Sequence, residues 1–453
     1  MIYPGNFEKK IGAEKIREIV MGLCNYDPGR SEIKNLYFSS DFSEVSNRLL
    51  QVNEFIAILK SEKKFPEDNF VDISEPLKKS EVEGRFLEEF EVFSLKKAID
   101  TVKSILAFFK ADEDELYPEL RRLASEVKVF PVVSDKINSI LAKNGTIKDN
   151  ASKELNNIRR EFAGKQSSIS KALNKVLTKA RQSGIIDEDT NLSIRNGRAV
   201  IPVPASKKRM ISGYVHDESS SGKTSFVEPA EVVEANNELR ELEYKERREI
   251  IKILTDFTNF IRPYATELSL SHIFLAKIDS IRARAKFAMS VNAILPRMVN
   301  KTEMDWKDAI HPLLLLSFRE HGRENEVVPL DVHLNNNERV LLISGPNAGG
   351  KSVCLQTVGL LQYMFQCGFL VPAGESSVFG IFQKIFLDMG DEQSIEDDLS
   401  TYSSHLGNLK FFTRNSDDKS LVLIDEFGSG TEPGLGGAIA EAVLDNLNDK
   451  LVF

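Results

Sequence analysis

The sequence predicts a mainly α-helical core with long lever helices and a small β-rich clamp, followed by an α/β domain. In Met1–Asn150 apolar residues recur at helical spacing. Further on, two long amphipathic patterns flank a short stretch of proline-punctuated β-like runs. Beyond them, one apolar run ends in a glycine-rich loop and another in a pair of acids, the alternation of an α/β fold.

Length and composition bound the reading. A chain of 453 residues has room for about two to four domains. The net charge of −9 excludes a generic polyanion binder, so a nucleic-acid surface has to be local. Cys24, Cys354 and Cys367 form no C-x-x-C and no metal-like cluster. The N-terminal M-I-Y-P-G-N-F-E-K-K has no apolar signal core, and no run approaches the roughly 18 apolar residues of a membrane span. The expectation is a reduced, cytoplasmic protein without membrane contact.

The helical core is expected over 1–150. Val45, Leu49, Val52, Ile56 and Leu59 share one helix face, as do Leu95, Ile99, Val102, Leu106 and Phe109; Pro118 and Pro131 close the region. From Ala151 to Gly184, Leu155, Phe162, Ile169 and Val176 are spaced by seven, with Ile158 and Ala172 at partner positions. This outgoing lever (151–190) needs a partner, and Glu231–Ile261, carrying Leu239, Leu242, Ile250, Ile253, Leu254, Phe257 and Ile261, is the candidate within the returning segment 230–300. The insert 191–229 holds β-like runs at Leu192–Ile194, Arg198–Ile201, Gly213–His216 and Thr224–Val227, separated by Pro202, Pro204 and the loop Asp217–Lys223. Charge sorts with this geometry: 151–229 holds 14 Lys and Arg against 8 Asp and Glu, so 14 − 8 = +6, and the remainder carries −15. Arg195, Arg198, Lys207, Lys208, Arg209 and Lys223 are the candidates for phosphate-backbone contact, set against a plain solvated face.

The last domain is expected over 301–453. Lys301–Glu320 reads as a strand and turn in which His311 stands near a proline, a structural position more often than a ligand. An apolar run from Val340 then leads into Gly345-Pro346-Asn347-Ala348-Gly349-Gly350-Lys351-Ser352, followed by Val353 and a helix-like sequence. That is G-x-x-x-x-G-K-[ST] between strand and helix. Glycines let backbone N–H groups close round a phosphate, Lys351 can reach the β- and γ-phosphates, and the Ser352 hydroxyl can bind Mg²⁺. Downstream, Leu421-Val422-Leu423-Ile424 ends in Asp425-Glu426, carboxylates delivered at a strand's C-terminal end. Asp425 suits a water-bridged Mg²⁺ and Glu426 suits polarising an attacking water. Ser400 and Thr401 stand where a helix can start and receive an anion. A flexible loop from Phe427 to Pro433 precedes an Ala-rich helix over Gly437–Leu447.

Together these motifs resemble the MutS family of ABC-type ATPases, and within it the type-two branch, which lacks a mismatch-reading domain. The finer likeness rests on Ile194-Arg195-Asn196-Gly197-Arg198, on His216–Gly222 with Phe226-Val227-Glu228-Pro229, and on Gly390–Glu396. About 340 residues precede the glycine-rich loop and the lever starts near 150, which leaves no space for mismatch and connector domains ahead of the core. The resemblance implies ATP and Mg²⁺ as ligands, with Asn347, Lys351 and Ser352 on the phosphates and metal. It implies a homodimer in which Ser400 reaches the γ-phosphate held by the other subunit. It implies apolar packing at Val327 in place of an adenine-stacking aromatic. It implies clamp tips that embrace branched DNA, in suppression of recombination, or stalled ribosomes, in rescue. The chain stops inside an expected ATPase strand, so the resemblance also implies an ATPase domain incomplete at its C-terminus, weak turnover and no nuclease domain. A chromosome-condensing or break-repair ATPase is a rival, but those place the coiled coil between the loop and the acidic strand. A non-catalytic helical binding module and a conventional mismatch-repair sensor are the remaining alternatives.

Overall fold

A computed structural model describes residues 1–453 except 112–114, 196, 347–348, 391–397 and 429–431, and only the backbone at 398–402. Among the described residues helices dominate and the sheets are small. The chain forms two compact units: Met1–Asp72 with Ala98–Val129 and Leu270–Phe453, and Ile73–Lys97 with Phe130–Ser269.

In the second unit two long helices, Lys153–Gln182 and Ala230–Ile261, pack along each other. Ser152 caps the first, accepting from Leu155 N–H at 3.0 Å. The deepest residues are Leu155, Ile158, Ile169, Leu173, Leu177 and Ala180. Leu173 and Leu177 therefore replace the expected heptad position Val176, which is only half-buried. A straight helix drifts about 20° per heptad, so the seam moves round by a residue. Charged pairs tie the flanks: Arg159 to Glu246 at 2.8 Å, and Lys165 to Glu238.

At the far end of these helices Ser193–Arg195, Arg198–Pro204, Thr224–Pro229 and Gly213–Glu218 form, in that spatial order, a four-stranded antiparallel sheet. Pro202 and Pro204 were expected to separate strands; they lie inside one, opposite Phe226 and Thr224. Among the described residues strand Ser193–Arg195 pairs only with Arg198–Val200. Beyond that point the proline-bearing strand has an open edge, where a missing N–H is tolerated. Ile201, Val203 and Val227 close over Ile169, Leu173 and Leu177, so tip and lever share one apolar core.

In the first unit the helix Lys351–Cys367 is buried from Thr357 to its end. Its two buried amides donate inward, Gln362 to the Gly380 carbonyl at 2.9 Å and Gln366 to the Ser39 and Phe382 carbonyls at 2.8 Å, while the Gln362 Oε1 has no hydrogen-bond partner among the described residues. Ile2–Tyr3, Lys384–Asp388 and Ser420–Ile424 make a parallel three-stranded sheet. A second sheet orders Arg297–Met298, Val378–Phe379, Met304–Ala309 and Leu330–Leu334, with Trp306 fully buried and stacked 4.3 Å from Phe379. Among the described residues no helix is long and apolar enough to cross a membrane.

Leu173→Ala is expected to destabilise the lever unit by about 2–4 kcal/mol, because a fully buried side chain leaves a cavity. Val176→Ala, one residue along, is expected to cost less than half as much; urea unfolding of the two variants checks the seam.

Candidate functional site

The Lys351–Cys367 helix begins at Gly350, whose φ of +85° is a left-handed conformation that a side chain disfavours. A helix N-terminus of this kind presents first-turn amides such as those of Ser352 and Val353, an arrangement that can receive an anion. Ser352 and Val353 are exposed there. The Lys351 ammonium folds back to donate to the Gly345 carbonyl. Gly349 N–H donates to the Pro346 carbonyl at 3.0 Å. Asn347 and Ala348 lie outside the described residues.

One expectation is corrected here. Val340–Ile343 forms no strand; the run is exposed, Leu342 to 79%. A parallel strand needs a paired neighbour. On the far edge of Ser420–Ile424 the partner is Phe453 instead, which accepts from Val422 N–H at 2.8 Å and donates to the Ser420 carbonyl at 3.0 Å. Between the apolar run and that strand opens a cleft of about 830 Å³. Gly345, Lys351, Asp425 and Glu426 all line it. The glycine-rich loop and the acidic pair, 74 residues apart (425 − 351), thus face one space.

The acidic pair follows a strand that is mostly buried. Asp425 is buried and its Oδ1 accepts from Glu426 N–H at 3.0 Å. Glu426 is exposed and sits at φ +50°, a strained conformation for a residue with a side chain. Gly428 follows at φ +82°, where a Cβ would meet the Gly436 carbonyl oxygen at 2.9 Å. The helix Asp398–Asn415 includes the backbone of Ser400 and Thr401, but their side chains and the stretch 391–397 lie outside the described residues.

Two sequence candidates stand elsewhere. Val327 is half-buried after the turn Glu324–Glu326 and does not line the cleft. His311 caps the helix Pro312–Glu320, its Nδ1 accepting from Leu314 N–H at 3.4 Å. Burial pushes its pKa down to about 4, so it is a neutral cap at pH 7.

On the clamp, most of the six basic candidates already have partners. Arg198 turns inward, donating to both oxygens of buried Glu228 at 2.8 and 2.9 Å and to Asn237 at 2.7 Å. His216 and Asn236 also bind Glu228. Freeing Arg198 for a phosphate would strand a buried carboxylate, so it is a structural residue here. Arg195 lies 4.0 Å over the Phe226 ring and near Asp217. Lys207 donates to the Gly184 carbonyl and Lys208 pairs with Glu218. Arg209 and Lys223 are exposed.

Sequence reasoning gave no individual role to Asp388, His405, Asn408 or Tyr3. Asp388 is 2% exposed and ends the strand beside Ser420–Ile424. His405 Nδ1 and Asn408 Nδ2 each lie 2.7 Å from its carboxylate. The hydrogen bond to Asp388 raises the His405 pKa against desolvation, with the charges of Asp388 and Glu426 adding. An acid at the end of an apolar strand was the available signal; the N-terminal tyrosine gave none.

Comparison with known proteins places this geometry in context. Residues 341–452 match MutS domain V. A protein named endonuclease MutS2 from Alkaliphilus oremlandii is 35% identical over 436 residues, 96% of this chain and 54% of that protein. Proteins of the same name from a Geobacillus species and from Ligilactobacillus salivarius are 34% and 35% identical, over 96% and 98% of this chain and 55% of each relative. The chain thus spans about half the length of the relatives it matches.

Two outcomes are expected. Glu426→Gly relieves the left-handed backbone and raises stability by about 1 kcal/mol in chemical denaturation, while removing the carboxylate. Acidification loosens the clamp. Burial pushes the Glu228 carboxyl up, but hydrogen bonds from Asn236, Arg198 and His216 and the Arg198 charge hold it below its ordinary 4.5. Its contribution is complete above that value and is lost as pH falls through the lower folded one. Amide exchange across Gly213–Pro229 should therefore rise below about pH 4.5 in the native protein, and Glu228→Gln should flatten that rise.

Proposed function

For a chain that belongs to the MutS2-type family, we propose an ATP-dependent nucleic-acid clamp that hydrolyses ATP at a composite homodimer site. The observation that carries the reading is the shared cleft on which Lys351, Asp425 and Glu426 open. An open helix N-terminus, an ammonium parked on a loop carbonyl and two carboxylates facing them fit a magnesium–nucleotide complex. Lys351 exchanges the Gly345 carbonyl for phosphate oxygens. The first-turn amides of Lys351, Ser352 and Val353, with Gly349 and Gly350, hold the phosphates, and the family resemblance adds Asn347 to this set. The Ser352 hydroxyl and Asp425 hold Mg²⁺, which neutralises charge on the phosphates when bound. Glu426 orients the attacking water. Ser400, at the start of its helix, completes the site of the other subunit.

The clamp supplies the nucleic-acid surface. Arg209 and Lys223 reach phosphates directly, and Arg195, Lys207 and Lys208 join by giving up exposed pairings of low worth. Branched DNA and stalled ribosomes both present the phosphate backbone that such a surface takes. Val340–Ser344 lies outside the sheet, leaving the glycine-rich loop without a paired strand behind it, which favours low turnover by this chain.

The test is competition binding to four-way DNA junctions, mismatched duplex and ribosomes, with and without MgATP, across salt concentrations. Changing Lys207, Lys208 and Arg209 together to Glu should weaken binding at least about tenfold and reduce the log–log salt slope by about 2–3. Unchanged binding to every target would remove the clamp assignment. Lys351→Ala should weaken ATP binding about 10- to 100-fold, through loss of charge-assisted bonds.

A further inference from the structure

The strand end that presents Asp425 and Glu426 is held by a network centred on Asp388. The Asp388 carbonyl accepts the Asp425 N–H at 2.8 Å, so the backbone of the acidic pair hangs from it. The Asp388 side chain is itself fixed from two sides by the helix Asp398–Asn415: His405 Nδ1 on one oxygen, Asn408 Nδ2 on the other, both at 2.7 Å. The N-terminal segment braces the same place. Tyr3 OH donates to Asn408 Oδ1 at 2.8 Å, and its ring stacks on Phe411 at 3.9 Å. Ile2 and Tyr3 pair with Ile385 and Phe386, three and two residues before Asp388. Lys10 Nζ donates to the Met389 carbonyl at 2.6 Å. Asp388, His405, Asp425 and Glu426 line one small cavity of about 20 Å³, roomy enough for a single water.

We propose that Asp388 is a positioning residue for the acidic pair, supported by His405 and Asn408 and braced by Tyr3 and Lys10 of the N-terminal segment. The physical reason is the Glu426 backbone. A left-handed residue persists only where its surroundings over-determine it. The bond from Asp425 to Asp388 holds the residue just before it, and a carboxylate with two donors on it in a buried place cannot swing away. Removing one donor leaves Asp388 free to turn, and the Asp425–Glu426 turn then loses its fixed origin. The inference rests on the proposed nucleotide chemistry for its catalytic consequence, though not for the network itself.

The experiment compares His405→Ala, His405→Asn and Tyr3→Phe in the full chain. Asn can place an amide nitrogen near the position of Nδ1, so it keeps the donor without the ring. His405→Ala should lower kcat for ATP about tenfold with KM within about twofold. His405→Asn should recover most of kcat, and Tyr3→Phe should lower it about threefold. Without nucleotide, amide exchange at Ile424–Phe427 should rise at least fivefold in His405→Ala and return in His405→Asn. Unchanged exchange there, a parallel loss of kcat and KM, or no rescue by Asn would overturn the positioning role. Lys351→Ala separates the two ideas: if wild type and Lys351→Ala both fail to bind ATP, the nucleotide reading falls, while the exchange measurement still decides the network.

Discussion

The parallel pairing of Lys384–Asp388 with Ser420–Ile424 is the constraint from which the functional end of the molecule follows. It brings Asp388 level with Ile424, so that the next two residues, Asp425 and Glu426, emerge where the strand stops. Side chains at the C-terminal ends of parallel strands converge on a crevice, and here the crevice is the cleft that also takes Gly345 and Lys351. The Lys351–Cys367 helix is buried along most of its length, so its exposed N-terminal turn is held by a rigid body. A phosphate bound there would meet fixed dipoles that need not reorganise.

The clamp follows a different logic. Its positive charge suggests a polyanion surface, but the side chains divide into two layers. Arg198, His216 and Asn236 converge on buried Glu228 and hold three of the four strands to the returning helix. Arg209 and Lys223 stand outside that layer, and Lys208 and Arg195 sit at its rim in exposed pairs. A buried carboxylate with three donors rigidifies the tip, whereas rim pairs exchange readily with other anions. The sign of the net charge alone does not separate these two groups.

Much of the architecture was legible because it is local. The lever helices announce themselves by spacing, the tip by short β-rich runs, and the loop and acidic pair stand out by residue type. What was misread or missed depends on distant partners. Val340–Ile343 has the composition of a buried strand, but pairing is decided by what lies alongside, and Phe453 takes the edge of Ser420–Ile424. Pro202 and Pro204 signal breaks unless one knows that their strand has an open edge. Tyr3 lies 405 residues from Asn408, and no spacing rule connects them. Arg198 looks like its basic neighbours until Glu228 is found beneath it.

The account turns on whether the glycine-rich loop and the acidic strand form one metal–nucleotide site. Calorimetric titration of ATP into the chain, with and without Mg²⁺, in wild type and Asp425→Asn, measures that directly. One ATP per chain is expected, bound more tightly with Mg²⁺ in wild type, and that increment should vanish in Asp425→Asn. No saturable binding, or a Mg²⁺ increment that survives the loss of Asp425, would contradict it.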